Sequence, residues 1–214
     1  MINNPWNDIS LSDYENHMSL DSVYQLQTMN LAMKDQFDRF PVTSVMVFGI
    51  AGGNGLEHID QEKFDRIYGV DINPSYLEEI RQRFRSLSGS LECICLDLAS
   101  EADQLPRAQL VIANLLIEYI GCDAFREAVA AAAPEYVSCM IQINEDTGES
   151  WVSDSPYLHV FDCLDKVYHH IDASSITEVL AKAGFSLIDT MEYPLPNGKK
   201  LQRLDYRRKE GVQG

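Results

Sequence analysis

Three polar side chains close apolar runs in the middle of the chain. Asp71 follows Ile67-Tyr68-Gly69-Val70, Asp97 follows Leu91-Glu92-Cys93-Ile94-Cys95-Leu96, and Asn114 follows Leu110-Val111-Ile112-Ala113. Ahead of them, Val45-Met46-Val47-Phe48-Gly49-Ile50-Ala51-Gly52-Gly53-Asn54-Gly55 carries an apolar strand into a glycine-rich turn. Polar groups at the carboxyl ends of successive parallel strands converge on one crevice. Glycines there let the backbone turn sharply and come close to a ligand, with free N–H groups of a following helix facing it. Asp71 can accept hydrogen bonds from two ribose hydroxyls, and its charge disfavours a 2′-phosphate. Asp97 suits the amino group of an adenine, or else the N-cap of a helix, and Asn114 faces the reacting end. These residues together describe a nucleoside pocket.

The elements that must position them are legible in the spacing. Leu26, Met29, Met33, Phe37 and Phe40 recur at helical intervals between Ser19 and Phe40, and Pro41 stops the pattern. Strand-like runs at 45–48, 66–70, 91–96, 110–113 and 137–143 alternate with helical or loop segments, which predicts parallel strands joined by crossovers. Asn73-Pro74 is an N-cap followed by proline at the first helical position, with Leu77, Ile80, Phe84 and Leu87 on one face. An alanine-rich helix is predicted from Asp123 to Ala133, before Pro134. Another starts at Asp172 or Ser174, carries Ile176, Val179 and Leu180, and ends at Gly184. The end of the chain differs: 185–192 and 200–207 alternate as strands around Pro194-Leu195-Pro196-Asn197-Gly198, a hairpin signal. Between Asn144 and His170, Trp151, Tyr157, His159, Phe161, Tyr168 and His169 stand in a long stretch of weak periodicity, and such stretches are more often functional than idle.

Bulk properties narrow the classes. The chain has 214 residues, 45% of them hydrophobic, which suits one domain with a full core. A formal net charge of −16 opposes tight binding to phosphate backbones, so nucleic acid is disfavoured as a partner. Arg203, Arg207, Arg208 and Lys209, the densest basic stretch, read as an exposed strand and tail. The start, Met1-Ile2-Asn3-Asn4-Pro5-Trp6-Asn7-Asp8, has neither a basic nor an apolar leader region, and no apolar run approaches the roughly twenty residues that span a bilayer. The expectation is a soluble, cytoplasmic protein without a membrane partner. Cys93, Cys95, Cys122, Cys139 and Cys163 read as reduced thiols packed as small core residues. No two histidines have helical ligand spacing, so no metal is expected, and Glu145, Asp146 and Glu149 read as a solvated loop.

The order of these elements resembles the class I S-adenosylmethionine-dependent methyltransferase family, from about Val45 to Arg208, closing hairpin included. The resemblance implies a Rossmann-like three-layer α/β sandwich: a seven-stranded, mostly parallel sheet with a C-terminal antiparallel hairpin, preceded by N-terminal helices. It divides the chain into a helical lid, 1–41, and an S-adenosylmethionine-binding methyltransferase domain, 42–214. The family's acid-x-Gly-x-Gly-x-Gly pattern falls on Gly49, Ala51, Gly53 and Gly55. Gly49 replaces the acid and Ala51 the first glycine, so the usual anchor of the cofactor's amino group is missing. The implied cofactor-binding set is Ala51, Gly52, Gly53, Gly55, Asp71, Ile72, Asp97, Leu98 and Asn114. Asp13-Tyr14-Glu15-Asn16-His17-Met18 is similar to the lid of some small-molecule methyltransferases, with Tyr14 and His17 closing over the cofactor.

Methyl transfer from a sulfonium chiefly requires alignment of the incoming nucleophile with the carbon–sulfur bond. An acceptor that must lose a proton also needs a base, and His159, His169, Glu118 and Tyr119 are the candidates. Glu118 and Tyr119 can equally be residues that simply start a helix. The expected acceptor is a small molecule. Two other readings remain open at this point. Gly49, Gly53 and Gly55 also fit the Gly-x-x-x-Gly-x-Gly of NAD-dependent short-chain dehydrogenases, although no tyrosine here is followed four residues later by lysine. A binding or regulatory module on the methyltransferase fold, without turnover, is the other.

Overall fold

The computed structural model describes residues 4–144, 152, 153 and 155–211. Seven strands form one sheet: β1 (Ser44–Phe48), β2 (Arg66–Asp71), β3 (Leu91–Cys95), β4 (Leu110–Asn114), β5 (Tyr136–Ile143), β6 (Phe185–Pro194) and β7 (Lys200–Arg208). Their order is β3-β2-β1-β4-β5-β7-β6. β1 pairs in parallel with β2 and β4, β2 with β3, and β4 with β5, whereas β7 runs antiparallel to both β5 and β6. The predicted hairpin therefore closes the sheet, with β7 inserted between β5 and β6.

Alternation along the strands sorts side chains onto two faces. Val45 and Val47 of β1 share a core with Ile67, Leu110 and Ile112, while Met46 and Phe48 join Val70, Val111 and Ala113 on the other side. Among the described residues the α-helices are α1 (Leu11–Ser19), α2 (Gln25–Arg39), α3 (Pro74–Arg83), α4 (Ile117–Ala132) and α5 (Ala173–Lys182), of which α2 to α5 cover these faces. Met33 and Phe37 of α2 and Leu77 and Ile80 of α3 pack on the first face. Phe125 and Val129 of α4 and Ile176 and Leu180 of α5 pack on the second. The result is a helix–sheet–helix sandwich in which the central strands β1, β4 and β5 are buried, while the edge strand β6 is largely exposed.

Local chemistry explains the helix ends. Asn73 Oδ1 accepts the Ser75 N–H at 3.0 Å ahead of Pro74, and Asp172 Oδ1 accepts the Ser175 N–H at 2.7 Å. Three expectations need correction. The helix expected over Ser19–Phe40 starts only at Gln25, because Tyr24 adopts a left-handed conformation (φ 56°) and breaks it from α1. The alanine-rich helix begins at Ile117 rather than Asp123, with a kink at Gly121 (φ 79°, ψ 162°). The glycine turn is followed by a three-residue 3-10 turn, Leu56–His58, and not by an α-helix. The passage from Gly55 to β2 is taken up by this turn and a second one at 61–63, so the helix N-terminus expected to face a ligand is not formed.

A buried polar chain joins α2 to the C-terminal strands. Arg203 and Asp205, 0% and 1% exposed, are paired through Nε–Oδ1 at 2.9 Å and Nη2–Oδ2 at 2.8 Å. Ser138 donates to Asp205 Oδ1 at 2.5 Å, and Arg203 Nη1 reaches Asp35 of α2 at 2.6 Å. The basic stretch expected to be exposed thus begins with a core residue. Among the described residues no helix is long and apolar enough to cross a membrane. The predicted loop acids Glu145, Asp146 and Glu149, and Trp151, lie outside the described residues.

Candidate functional site

A cavity of about 1180 Å³, its open mouth included, lies at the carboxyl ends of β1 to β4. This is the switch point where the chain leaves β1 for β2 on one side and β4 for β5 on the other, the usual ligand crevice of such sheets. Gly49, Ala51, Asp71, Ile72, Asp97, Leu98 and Asn114 all line it, so the expected polar ends do converge.

Asp71 is 8% exposed, and its carboxylate is held by the backbone: Oδ2 accepts the Ala51 N–H at 2.9 Å and Oδ1 the Asn73 N–H at 2.9 Å. Burial pushes this carboxyl up from its ordinary range, and the N–H groups of Asn73, Ala51 and Ile72 act against that rise. A carboxylate has about four lone-pair sites, so with these three N–H groups bound about one is left for a ligand hydroxyl. Asp97 uses Oδ1 to accept the Ala99 N–H at 2.9 Å, so it shapes a turn while also lining the cavity. Leu96, Leu98 and Ile72 add an apolar slot beside it.

The glycines divide by role. Gly53 has φ 80°, and a side chain on it would meet Phe84 at 2.6 Å; one on Gly55 would meet Met33 at 2.5 Å. Both sit behind the loop, letting it pack on α3 and α2, and neither lines the cavity. Gly52 lies under Glu15, which pairs with Arg83, and Arg83 Nη1 also reaches the Gly52 carbonyl at 3.4 Å. Ala51, where the resemblance expects glycine, still takes the left-handed conformation, φ 48°.

Asn114 lines the cavity, but its amide is engaged elsewhere. Nδ2 donates to Gln36 Oε1 at 2.9 Å, and Oδ1 accepts from Gln36 Nε2 at 3.1 Å. Gln36 in turn donates to Ser138 at 2.8 Å, linking the site to the Arg203–Asp205 chain.

The roof comes from three separated segments. Trp6 and α1 cover one side, tied down where Asn73 Nδ2 donates to the Trp6 carbonyl at 3.0 Å and Tyr76 Oη to the Ile9 carbonyl at 2.9 Å. His17, 4% exposed, meets Ser155 Oγ through Nδ1 at 2.7 Å and lies on Phe161, ring centroids 4.7 Å apart. Burial first, and the nearby Lys199 charge second, push its imidazole down to about 4. Ser153 receives a hydrogen bond from Asn197 of the β6–β7 turn at 2.9 Å. Tyr14 lines the cavity beside Asp71, and burial raises its phenol.

Of the four candidate bases, two reach the cavity. Glu118 and Tyr119 line it from the first turn of α4, so starting a helix and facing the cavity are compatible roles. His159 and His169 are exposed and do not line it. The His169 backbone N–H donates to the Glu118 carbonyl at 2.6 Å, and its ring stands against Gly121. Glu118 is 5% exposed; Oε1 accepts the Gln142 N–H at 2.9 Å, while Oε2 is buried with no hydrogen-bond partner. Burial raises its carboxyl to about 7.

Sequence reading missed Trp6, Gln25 and Gln142. Gln25 donates to Gln142, joining the start of α2 to the end of β5 in the cavity wall. Only Trp6 had a signal: Asn4-Pro5 repeats the Asn-Pro helix start of Asn73-Pro74, and Asn4 Oδ1 accepts the Trp6 N–H at 3.1 Å. Among the described residues no group of His, Cys, Asp and Glu could hold a metal ion.

No model of a known protein family matches the chain, and no curated protein matches it in sequence. Solved structures do. Magnesium protoporphyrin IX methyltransferase (ChlM) from Synechocystis PCC 6803, with SAM bound, is 14% identical, with a TM-score of 0.67 over 98% of this chain and 99% of that one. The N-methyltransferase NodS from Bradyrhizobium japonicum WM9, in complex with SAH, is 13% identical, with a TM-score of 0.66 over 97% and 100%. The [4+2]-cyclase SpnF is 12% identical, with a TM-score of 0.65 over 86% and 82%. The chain therefore has the class I S-adenosylmethionine-dependent methyltransferase fold, as the resemblance implied.

Proposed function

We propose that the chain binds S-adenosylmethionine and transfers its methyl group to a small molecule. The observation that carries this reading is Asp71, fixed by the Ala51 and Asn73 N–H groups at the wall of a roofed cavity at the switch point of the sheet. The residues present fit the nucleoside. Asp71 would hold a ribose hydroxyl, Ile72, Leu96 and Leu98 would flank the adenine, and Asp97 would accept from its amino group. Gly49 and Ala51 would line the amino-acid end with backbone, as would Asn114, whose amide is occupied by Gln36. Tyr14 and His17 would close the cavity against water, in keeping with a lid role for the N-terminal segment 1–41.

When bound, the cofactor supplies an electrophilic methyl that already carries its leaving group, so the chain's task is alignment and exclusion of water. Roof contacts from α1, the segment around Ser153 to Phe161 and the β6–β7 turn favour a small acceptor over a macromolecular one.

Calorimetry with S-adenosylmethionine, S-adenosylhomocysteine and NAD, on wild type and Asp71→Ala, tests the reading. Binding of both sulfur nucleosides, weakened by the substitution, is the expected result; binding of NAD alone would overturn it. The likeness to a [4+2]-cyclase keeps a second reading, cofactor binding without methyl transfer, and Gly49 and Ala51 are where the chain leaves the methyltransferase pattern. Tight binding with no methyl release across amine, hydroxyl, thiol and carboxylate acceptors would favour that second reading. Methylation of protein or RNA with no small-molecule turnover would overturn the choice of acceptor size.

A further inference from the structure

The roof and the first turn of α4 line the cavity with aromatic and acidic side chains. Trp6 meets Tyr14 edge-on at 5.9 Å and Tyr119 at 4.9 Å, and Tyr119 meets Tyr168 at 6.4 Å. All four rings line the cavity together with Asp71, Asp97 and Glu118, and among the described residues no lysine or arginine does. The His17 imidazole, at about 4, is neutral at physiological pH.

Glu118 is the odd member of this wall. Asp71 and Asp97 are held by backbone N–H groups, whereas Glu118 keeps one carboxylate oxygen buried and unpartnered. A buried ion without a counter-charge is costly, and a partner of opposite charge removes much of that cost.

We infer that the acceptor is a small amine bound as its ammonium, and that Glu118, which lines the cavity beside the aromatic rings and keeps one carboxylate oxygen buried and unpartnered, receives its proton. The inference rests on the methyl-transfer reading above. Three classes of acceptor separate on charge. A carboxylate or phosphate would lie beside the Glu118 carboxyl, with no lysine or arginine among the described lining residues to answer it. A neutral alcohol would leave Glu118 without a counter-charge. An ammonium answers the carboxylate, and aromatic rings attract cations.

The same contact has a chemical consequence, because an ammonium nitrogen has no lone pair to attack with. Transfer of one N–H proton to Glu118 Oε2 frees the lone pair. The nitrogen then forms its bond to the donor methyl carbon as the carbon–sulfur bond breaks, with the electron pair left on sulfur. The products are the methylated ammonium and S-adenosylhomocysteine, and the proton passes from Glu118 to solvent. A carboxyl near 7 can hold and release that proton at working pH.

The titratable groups around Glu118 are Tyr119 and Cys122 on α4, Cys139 on β5, and Tyr168 and His169 from the following segment. Burial raises both tyrosines and both cysteines. His169→Asn therefore serves as the control for the remaining group. Lys199, the cation near His17, is not among the groups acting on Glu118.

The test pairs turnover with a binding measurement. Matched amines, alcohols and carboxylates on one carbon skeleton are assayed with labelled S-adenosylmethionine from pH 6 to 8. The amines should be methylated, with a rate rising through about pH 7, and Glu118→Gln should lower kcat by about 10²- to 10⁴-fold while S-adenosylhomocysteine binds within about twofold of wild type. Separately, amine binding to the S-adenosylhomocysteine complex at pH 7 is followed by calorimetry in two buffers of different ionisation enthalpy. Wild type and His169→Asn should release about half a proton as Glu118 ionises, and Glu118→Gln none. Preferred turnover of the alcohol or carboxylate, a flat pH profile, unchanged kcat in Glu118→Gln, or absence of proton release in wild type would each overturn the inference. Failure of wild type to bind either sulfur nucleoside is a distinct result that overturns the parent reading and this inference with it.

Discussion

The Ala51 amide and the Asp71 carboxylate are joined by a 2.9 Å hydrogen bond across the gap between the β1 and β2 loops. The bond orients the acid before any ligand arrives and positions the loop by the same contact. Asp71→Ala should weaken S-adenosylhomocysteine binding by about 10- to 100-fold, the loss of roughly 1.5–3 kcal/mol that a charged hydrogen-bonding group carries. Asp71→Asn, which keeps one acceptor, should lose less. Titration calorimetry of the three proteins gives the ranking.

Gly49 stands where the methyltransferase pattern has an acid, and restoring that acid should not help. Its φ is 64°, and a Cβ there would lie 3.0 Å from Leu116 Cδ1. Gly49→Asp should destabilise the protein by about 1–3 kcal/mol through left-handed strain, with no gain in cofactor affinity. Chemical denaturation and calorimetry would show both, and a tighter-binding Gly49→Asp would count against this placement of the cofactor's amino-acid end.

His17 links the roof to pH. Its folded value of about 4 lies below the ordinary 6.5, so the imidazole resists protonation while it stays packed on Phe161. The stability it contributes is full above pH 6.5 and is lost as pH falls through about 4. Urea midpoints of wild type should therefore fall over that window, and His17→Gln should flatten the fall.

Glu118 has the opposite sign. Its folded value near 7 lies above the ordinary 4.5, so its contribution is full below pH 4.5 and is lost as pH rises through 7. In the absence of ligand, Glu118→Gln should be more stable than wild type at pH 8, by up to about 3 kcal/mol. Little difference is expected at pH 4.5, and guanidinium unfolding at the two pH values makes the comparison.

Arg203 tests the C-terminal strands. With Asp205 buried beside it and Ser138 and Asp35 in the same chain of bonds, Arg203→Ala leaves the buried Asp205 carboxylate with only Arg39, Nε–Oδ2 3.3 Å, and the Ser138 hydroxyl. A loss below the roughly 3–5 kcal/mol of a wholly uncompensated buried charge is expected, and the double replacement of Arg203 and Asp205 by apolar residues should recover part of it. Thermal unfolding of the three proteins distinguishes pair loss from cavity formation.

Much of this protein was determined by residue order alone. Alternating apolar runs, Asn73-Pro74, Asp172 and Asn197-Gly198 are local signals, and local backbone preference was enough to specify all seven strands and the closing hairpin. Asp71 and Asp97 were legible because a strand's end is marked by where its apolar run stops. Tertiary structure decided what depends on distant partners. Burial and hydrogen bonding are set by groups far away in sequence, as where Gln36 occupies Asn114, Ser155 meets His17, and Asp35 reaches Arg203. The same applies to the candidate bases: composition ranked Glu118 no higher than His159 or His169. The folded chain leaves both histidines exposed and buries Glu118 Oε2 without a partner, because the first turn of α4 sits beneath a roof assembled from three remote segments.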